Sequence, residues 1–124
     1  MTNTQPRSEG RSYQAKLEQI KQYMGKFSSA QPEVAKAFSA LHRGASTPGQ
    51  LDQKTKELIA LAIAIAARCD GCIAFHTHDA LQAGASKEEI METLSVAVLM
   101  GGGPAMMYAV HAIEAVEEFE QSRS

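Results

Sequence analysis

Tryptophan is absent, and the chain is only 6% aromatic. A core must then be assembled from Ala, Leu, Ile, Val and Met. The 44% hydrophobic content supplies these, and it excludes a disordered acidic chain. No excess of basic charge exists: 12 Lys and Arg stand against 14 Asp and Glu, a formal net charge of −2. That excludes a binder that grips nucleic acid through a strongly basic surface. Only two cysteines occur among 124 residues, too few for the disulfide framework of a small secreted domain. The opening residues lack an apolar signal region. The longest uninterrupted apolar run, Leu58 to Ala67, falls far short of the ~20 residues that cross a bilayer. The expectation is one soluble, cytoplasmic domain.

Alternating strand patterns and internal repeats are also missing, which leaves helical periodicity. Residues 1–11 read as a mobile tail ahead of a single helical domain over 12–124. A first helix is expected over about 12–28, with Tyr13, Leu17, Ile20, Met24 and Phe27 on one stripe. Pro32 opens a second, with Val34, Phe38 and Leu41 as its buried face, before a loop over Gly44–Gly49. The third runs from about Asp52, as N-cap, to Arg68. Beyond Leu58 it is apolar on every side, so either other subunits or the other helices of its own chain must cover it.

Asp70-Gly71 marks the reversal into a fourth helix, which stops at Gly84. Ser86-Lys87-Glu88-Glu89 is a capping box and opens a fifth, with Ile90, Met91, Leu94, Val98 and Leu99 on its apolar face. Gly101-Gly102-Gly103-Pro104 reads as a turn between helices. A phosphate cradle would need a strand before it and Lys-Ser/Thr after it. A sixth helix carries Met107, Val110, Ile113, Val116 and Phe119. The fold class is all-α, with about six helices and with Met100, Met106 and Met107 as pliable core packing or pocket lining.

The chemistry concentrates in Cys69-Asp70-Gly71-Cys72-Ile73-Ala74-Phe75-His76. On a helix Cys69, Cys72 and His76 share one face. Cys72 would gain as a thiolate from the helix N-terminus, from the C-x-x-C arrangement and from the imidazole one turn on. Cys69 is close enough to resolve an oxidised Cys72. Glu57 lies on the preceding helix. With the chain reversing at Asp70-Gly71, Glu57 and His76 are offset by roughly 10 Å along the axis, a gap that a tilt or a bridging water would close. A relay Glu57–His76–Cys72 results, a nucleophile with an oriented base. Zinc held by the cysteine pair with His76 and His78 is the alternative, but these histidines diverge on a helix and zinc sites draw their second pair from another element. Inert buried cysteines are another alternative. His78 reads as a surface residue, and His42 and His111 as structural. No metal or cofactor is expected.

The run Leu51–Ala62, followed by Arg68-Cys69-Asp70-Gly71-Cys72 through His78, resembles the carboxymuconolactone decarboxylase / alkylhydroperoxidase D-like family. The stretches Ala80–Ile90 and Met100–Ala105 continue the likeness, which spans about residues 34–118. The pattern Glu-x11-Cys-x2-Cys-x3-His marks its alkylhydroperoxidase branch. The resemblance implies an all-helical fold in a trimer or hexamer. It also implies peroxidase chemistry on hydrogen peroxide or organic hydroperoxides. By position Cys72 would be the peroxidatic thiol and Cys69 the resolving one, with Glu57 and His76 as the proton relay. The electron donor would be a lipoyl-bearing or thioredoxin-like dithiol. Some members carry a His between the cysteines, where this chain has Asp70-Gly71, and an acidic Asp70 would oppose thiolate formation. Two other readings compete: a non-redox decarboxylase or lactone enzyme using Glu57 and His76, and an oligomer switched by its disulfide.

Overall fold

The computed structural model describes residues 12–123. The expected tail over 1–11 lies outside them. Five helices follow in order: α1 Ser12–Ala30, α2 Pro32–Ser46, α3 Gln53–Ala66, α4 Asp70–Gln82 and α5 Lys87–Arg123. No strand occurs among the described residues. Gly102 breaks α5 with φ 73° and ψ −152°. The fifth and sixth helices of the sequence reading are therefore the two arms of one kinked element.

Local chemistry sets most of the boundaries. The Asp52 side chain accepts the Thr55 N–H at 2.8 Å and caps α3. Ser86 and Glu89 bond each other's amides at 3.0 and 2.9 Å, closing the expected capping box. Helix α4 ends in a Schellman pair, Ala85 N–H to Ala80 O and Gly84 N–H to Leu81 O, with Gly84 at φ 98°. Helix α3 ends in the same way: Cys69 N–H reaches Ala64 O and Arg68 N–H reaches Ile65 O. Here the left-handed position, φ 60°, is held by Arg68 instead of glycine. The reversal is therefore centred on Arg68, two to three residues earlier than Asp70-Gly71.

Helix α3 packs mainly on α5 and α4. Leu61, Ile65, Ile73, Ile90 and Val116 are fully buried where they meet. The alanines Ala97, Ala105, Ala109, Ala112 and Ala115 of α5 are buried, small residues where α5 meets its neighbours. By length and composition α5 is apolar enough to cross a bilayer, and only 22% of its most apolar window is buried within the chain. The second arm thus buries small residues, and Met107 and Val110 of the expected face point outward. Met100, Met106 and Met107 are exposed and are not core packing, and Leu99 is 79% exposed.

Helix α2 has no buried residue. Val34, Phe38 and Leu41 are each more than half exposed, which overturns their reading as a buried face. The cause is position: α2 lies outside the packed layer and packs chiefly on α1 and the edge of α3. Met24 and Phe27 at the end of α1 are exposed for the same reason, while Tyr13 and Leu17 at its start are buried. Helix α2 also continues through Gly44 to Ser46, where composition suggests a loop. Lys56 supports this extra turn by donating to Ala45 O at 3.0 Å and Thr47 O at 2.6 Å, satisfying carbonyls at the helix end. The start of α1 is held from a distance. The buried Glu118 carboxylate accepts the N–H groups of Tyr13 and Gln14, both at 3.1 Å. A negative charge at a helix N-terminus is favourable. On helix α3, Leu61, Ala64 and Ile65 are covered by their own chain, whereas Ile59 and Ile63 are exposed.

Candidate functional site

Cys69 and Cys72 form a disulfide at the start of α4, with Cα atoms 5.2 Å apart. Cys69 is the N-cap, and its sulfur accepts the Cys72 N–H at 3.2 Å. The helix N-terminus therefore serves the Cys69 sulfur, where the sequence reading assigns it to Cys72. Cys72 differs in being exposed, whereas Cys69 is half-buried. It also has His76 one turn further on, at a spacing that places the two side chains on one face.

His76 Nδ1 meets Glu57 Oε1 directly at 2.7 Å, with no bridging water required. The earlier reversal explains this. With Arg68 at its centre, Glu57 and His76 lie 11 and 8 residues from the turn. That offset is about 4.5 Å at 1.5 Å per residue, instead of roughly 10 Å. The Glu57 side chain is 5% exposed and that of His76 23%. A carboxylate can only accept, so Nδ1 carries the ring proton and Nε2 is left with its lone pair. Nε2 is the atom available as a base.

Both cysteines and His76 line one cavity of about 670 Å³. Its walls come from Leu17, Ile20, Lys21 and Met24 on α1, and from Phe38, Ser39, His42 and Arg43 on α2. Gly71, Phe75, His78 and Asp79 of α4 complete it. The structure thus assembles all four residues singled out from sequence, Glu57, Cys69, Cys72 and His76, in and behind one cavity.

Other residues escape the sequence reading or depart from it. His42 lines the cavity together with Arg43, although its helix offers no partner in sequence. His78 Nδ1 pairs with Asp79 at 3.0 Å, and its ring meets Phe119 edge-on. His111 Nδ1 pairs with Asp70 at 2.9 Å across 41 positions. Asp70, expected to burden the cysteine pair with a free charge, is thus engaged by a histidine. No local sequence signal links residues so far apart. Tyr13 lies near this group. Its phenol is pushed well above the ordinary range, first by burial and then by the charges of Asp70, Glu114 and Glu118.

The zinc set of Cys69, Cys72, His76 and His78 is not assembled, because the two sulfurs are bonded to each other. A different donor set exists. Glu57, His76 and Asp79 offer one ligand atom each, all within 4.8 Å of one another, and could hold a cation. The geometry is thus a bonded pair of sulfurs at a helix start, an imidazole held by a buried carboxylate, and a largely apolar cavity in front.

The model of the carboxymuconolactone decarboxylase family matches residues 32–115. A Legionella pneumophila protein of this family is similar in structure, with a TM-score of 0.85 and 46% identity over 87% of this chain and 96% of that one. A Thermotoga maritima member, described as a candidate for an antioxidative response, gives a TM-score of 0.80 and 33% identity over 87% of this chain and 92% of that one. An uncharacterised Cupriavidus necator protein is 40% identical over 98 residues, 79% of this chain and 87% of its own. The chain belongs to the carboxymuconolactone decarboxylase family, and its Cys69–Cys72 pair fits the alkylhydroperoxidase D-like branch.

Proposed function

We propose that the chain is a thiol-dependent peroxidase that reduces hydrogen peroxide or organic hydroperoxides. The observation that carries this reading is the Cys69–Cys72 disulfide facing the same cavity as a His76 held by buried Glu57. The antioxidative description of the Thermotoga relative supports it.

In the reduced state, His76 Nε2 takes the Cys72 thiol proton. The thiolate attacks the outer oxygen of the peroxide, the O–O bond breaks and Cys72 becomes a sulfenic acid. The same imidazolium returns its proton to the departing alkoxide. Cys69 then attacks the Cys72 sulfur, water leaves and the disulfide forms. Two electrons have passed from the dithiol to the peroxide. An external dithiol, lipoyl-bearing or thioredoxin-like, resets the pair by exchange at the exposed Cys72 sulfur. The leaving Cys69 thiolate is then received by the Cys72 N–H, and a stabilised thiolate leaves faster.

A cytoplasmic homo-oligomer, trimer or hexamer, belongs to the same proposal. Ile59, Ile63, Val96, Leu99 and Met100 form open apolar surface of a kind that monomers rarely leave bare. Light scattering on the purified protein tests this, and a monomeric mass would refute it.

The test of the activity is a single-turnover thiol count. Reduced protein receives one equivalent of cumene hydroperoxide, and free thiols are titrated over time. Two thiols should vanish per peroxide, far faster than for free cysteine. Cys72→Ser should abolish the reaction, and Cys69→Ser should stall at sulfenic acid. Loss at the free-cysteine rate would overturn the proposal. Activity on a lactone acid that survives Cys69→Ser with Cys72→Ser would favour the non-redox reading.

A further inference from the structure

The cavity in front of Cys72 is asymmetric in a way that the peroxide chemistry does not require. Leu17, Ile20, Met24, Phe38 and Phe75 make it apolar. Cationic side chains on the two outer helices interrupt this lining: Lys21 on α1 and Arg43 on α2, with His42 beside them. Lys21, His42 and Arg43 are exposed to solvent, and neither Lys21 nor Arg43 has an ion-pair partner among the described residues. The one carboxylate in the lining, Asp79, is already paired with His78.

An unpaired cation at the edge of an apolar chamber is a poor device for holding hydrogen peroxide, which is small and neutral. It suits an amphiphile with an anionic end, since an Arg–carboxylate pair is strong and directional. The cavity is an open groove, and its volume of about 670 Å³ is in the range of small-molecule sites.

From this cavity, and resting on the peroxidase reading, we infer that the preferred substrate is the hydroperoxide of a long-chain carboxylic acid, bound by its carboxylate at Arg43 with Lys21 and His42. The apolar chain lies along α1 and α2 and brings the hydroperoxide to Cys72. The reaction converts the bound acid to its hydroxy acid and water while the protein dithiol becomes the disulfide. Arg43 is a specificity residue in this scheme and does not touch the reacting atoms.

The test compares linoleic acid hydroperoxide with its methyl ester, both below micelle-forming concentration, as oxidants of the reduced full-length chain. The acid should react about tenfold faster or more, the scale of one charge-assisted pair. This acid-to-ester ratio should fall close to one in Arg43→Met and be largely kept in Arg43→Lys. In parallel, decanoate should bind the oxidised protein in calorimetry, methyl decanoate should not, and Arg43→Met should weaken decanoate binding about tenfold. Fast oxidation by acid and ester alike would overturn the substrate assignment and leave the peroxidase reading standing. If no peroxide oxidised the pair, that reading would fall. Decanoate binding sensitive to Arg43 would then still support the anionic-amphiphile site, and its absence would overturn it.

Discussion

Replacing Glu57 with Gln tests whether the carboxylate acts through His76. The substitution keeps the shape of the side chain and removes a charge that is only 5% exposed. Two effects follow from the 2.7 Å contact. When the ring is protonated, the bond to a carboxylate is worth about 1–2 kcal/mol more than the bond to an amide. That difference is roughly 5- to 30-fold in rate at about 1.36 kcal/mol per tenfold. The amide can also present its NH2 group to Nδ1, which holds the ring in the tautomer with no lone pair at Nε2. Together these should lower the rate of Cys72 oxidation by roughly 100-fold, within the span attributed to general acid–base groups. Folding stability should move the other way or not at all. A neutral amide at this position requires no desolvation of charge, so the stability from urea unfolding should stay within about 1 kcal/mol of the parent. Rapid-quench alkylation of the reduced protein after mixing with hydroperoxide measures the rate. Oxidation within threefold of the parent, in a variant that folds normally, would refute the relay.

Four further outcomes are expected. Glu118→Gln should lose one of its two bonds to the start of α1 together with its charge. A loss of about 2 kcal/mol lowers the melting temperature by roughly 6–10 °C, readable by circular dichroism. Thr77 is fully buried, and its hydroxyl has no hydrogen-bond partner among the described residues. Thr77→Val should therefore raise stability by about 1 kcal/mol in urea titration. Arg68→Gly relieves the left-handed backbone at φ 60° and should stabilise by about 0.5–1 kcal/mol, measured the same way. The fourth outcome is a pH dependence set by two exposed acids. Hydrogen bonds from Thr55 hold Asp52 below its ordinary range, and Lys54 does so for Glu89. Depressed carboxylates stabilise the fold above their unfolded pKa values and lose that contribution as pH falls through the folded ones. Asp52→Asn combined with Glu89→Gln should flatten the acid limb of a stability–pH curve below about pH 4.

Sequence pattern reveals this fold where it acts locally. The Asp52 cap, the Ser86–Glu89 box and the Gly84 stop each rest on nearby residues, and each is legible. The cysteine pair and His76 are legible too, because helical spacing alone aligns them. Glu57 can be nominated, but its contact cannot be measured from sequence, since that depends on where the chain turns. Asp70-Gly71 looks like a turn, and Arg68 does not, yet Arg68 adopts the left-handed backbone. Apolar stripes on α2 and the end of α1 are legible as stripes. Periodicity does not say whether a second layer exists to bury them, and among the described residues of this chain none does. The bonds of Glu118 to Tyr13 and of His111 to Asp70 join residues 105 and 41 positions apart, beyond any local signal. The cationic side of the cavity is hidden for the same reason, as its members come from separate helices.

The anchoring of the outer helices separates aperture from chemistry. Helices α1 and α2 form an outer strap clasped at both ends, where Glu118 grips the beginning of α1 and Lys56 the end of α2, and Leu17 also roots α1 in the core. Between these clasps, at the bend from Ala30 to Pro32, nothing is buried. That bend is the part of the strap where the least packing would be lost if the cavity widened. Glu57 and His76 are mounted on α3 and α4 beneath it, and their 2.7 Å contact uses no residue of the strap. One wall of the cavity is exposed and the other is built on the core helices, and the candidate reacting groups all belong to the second.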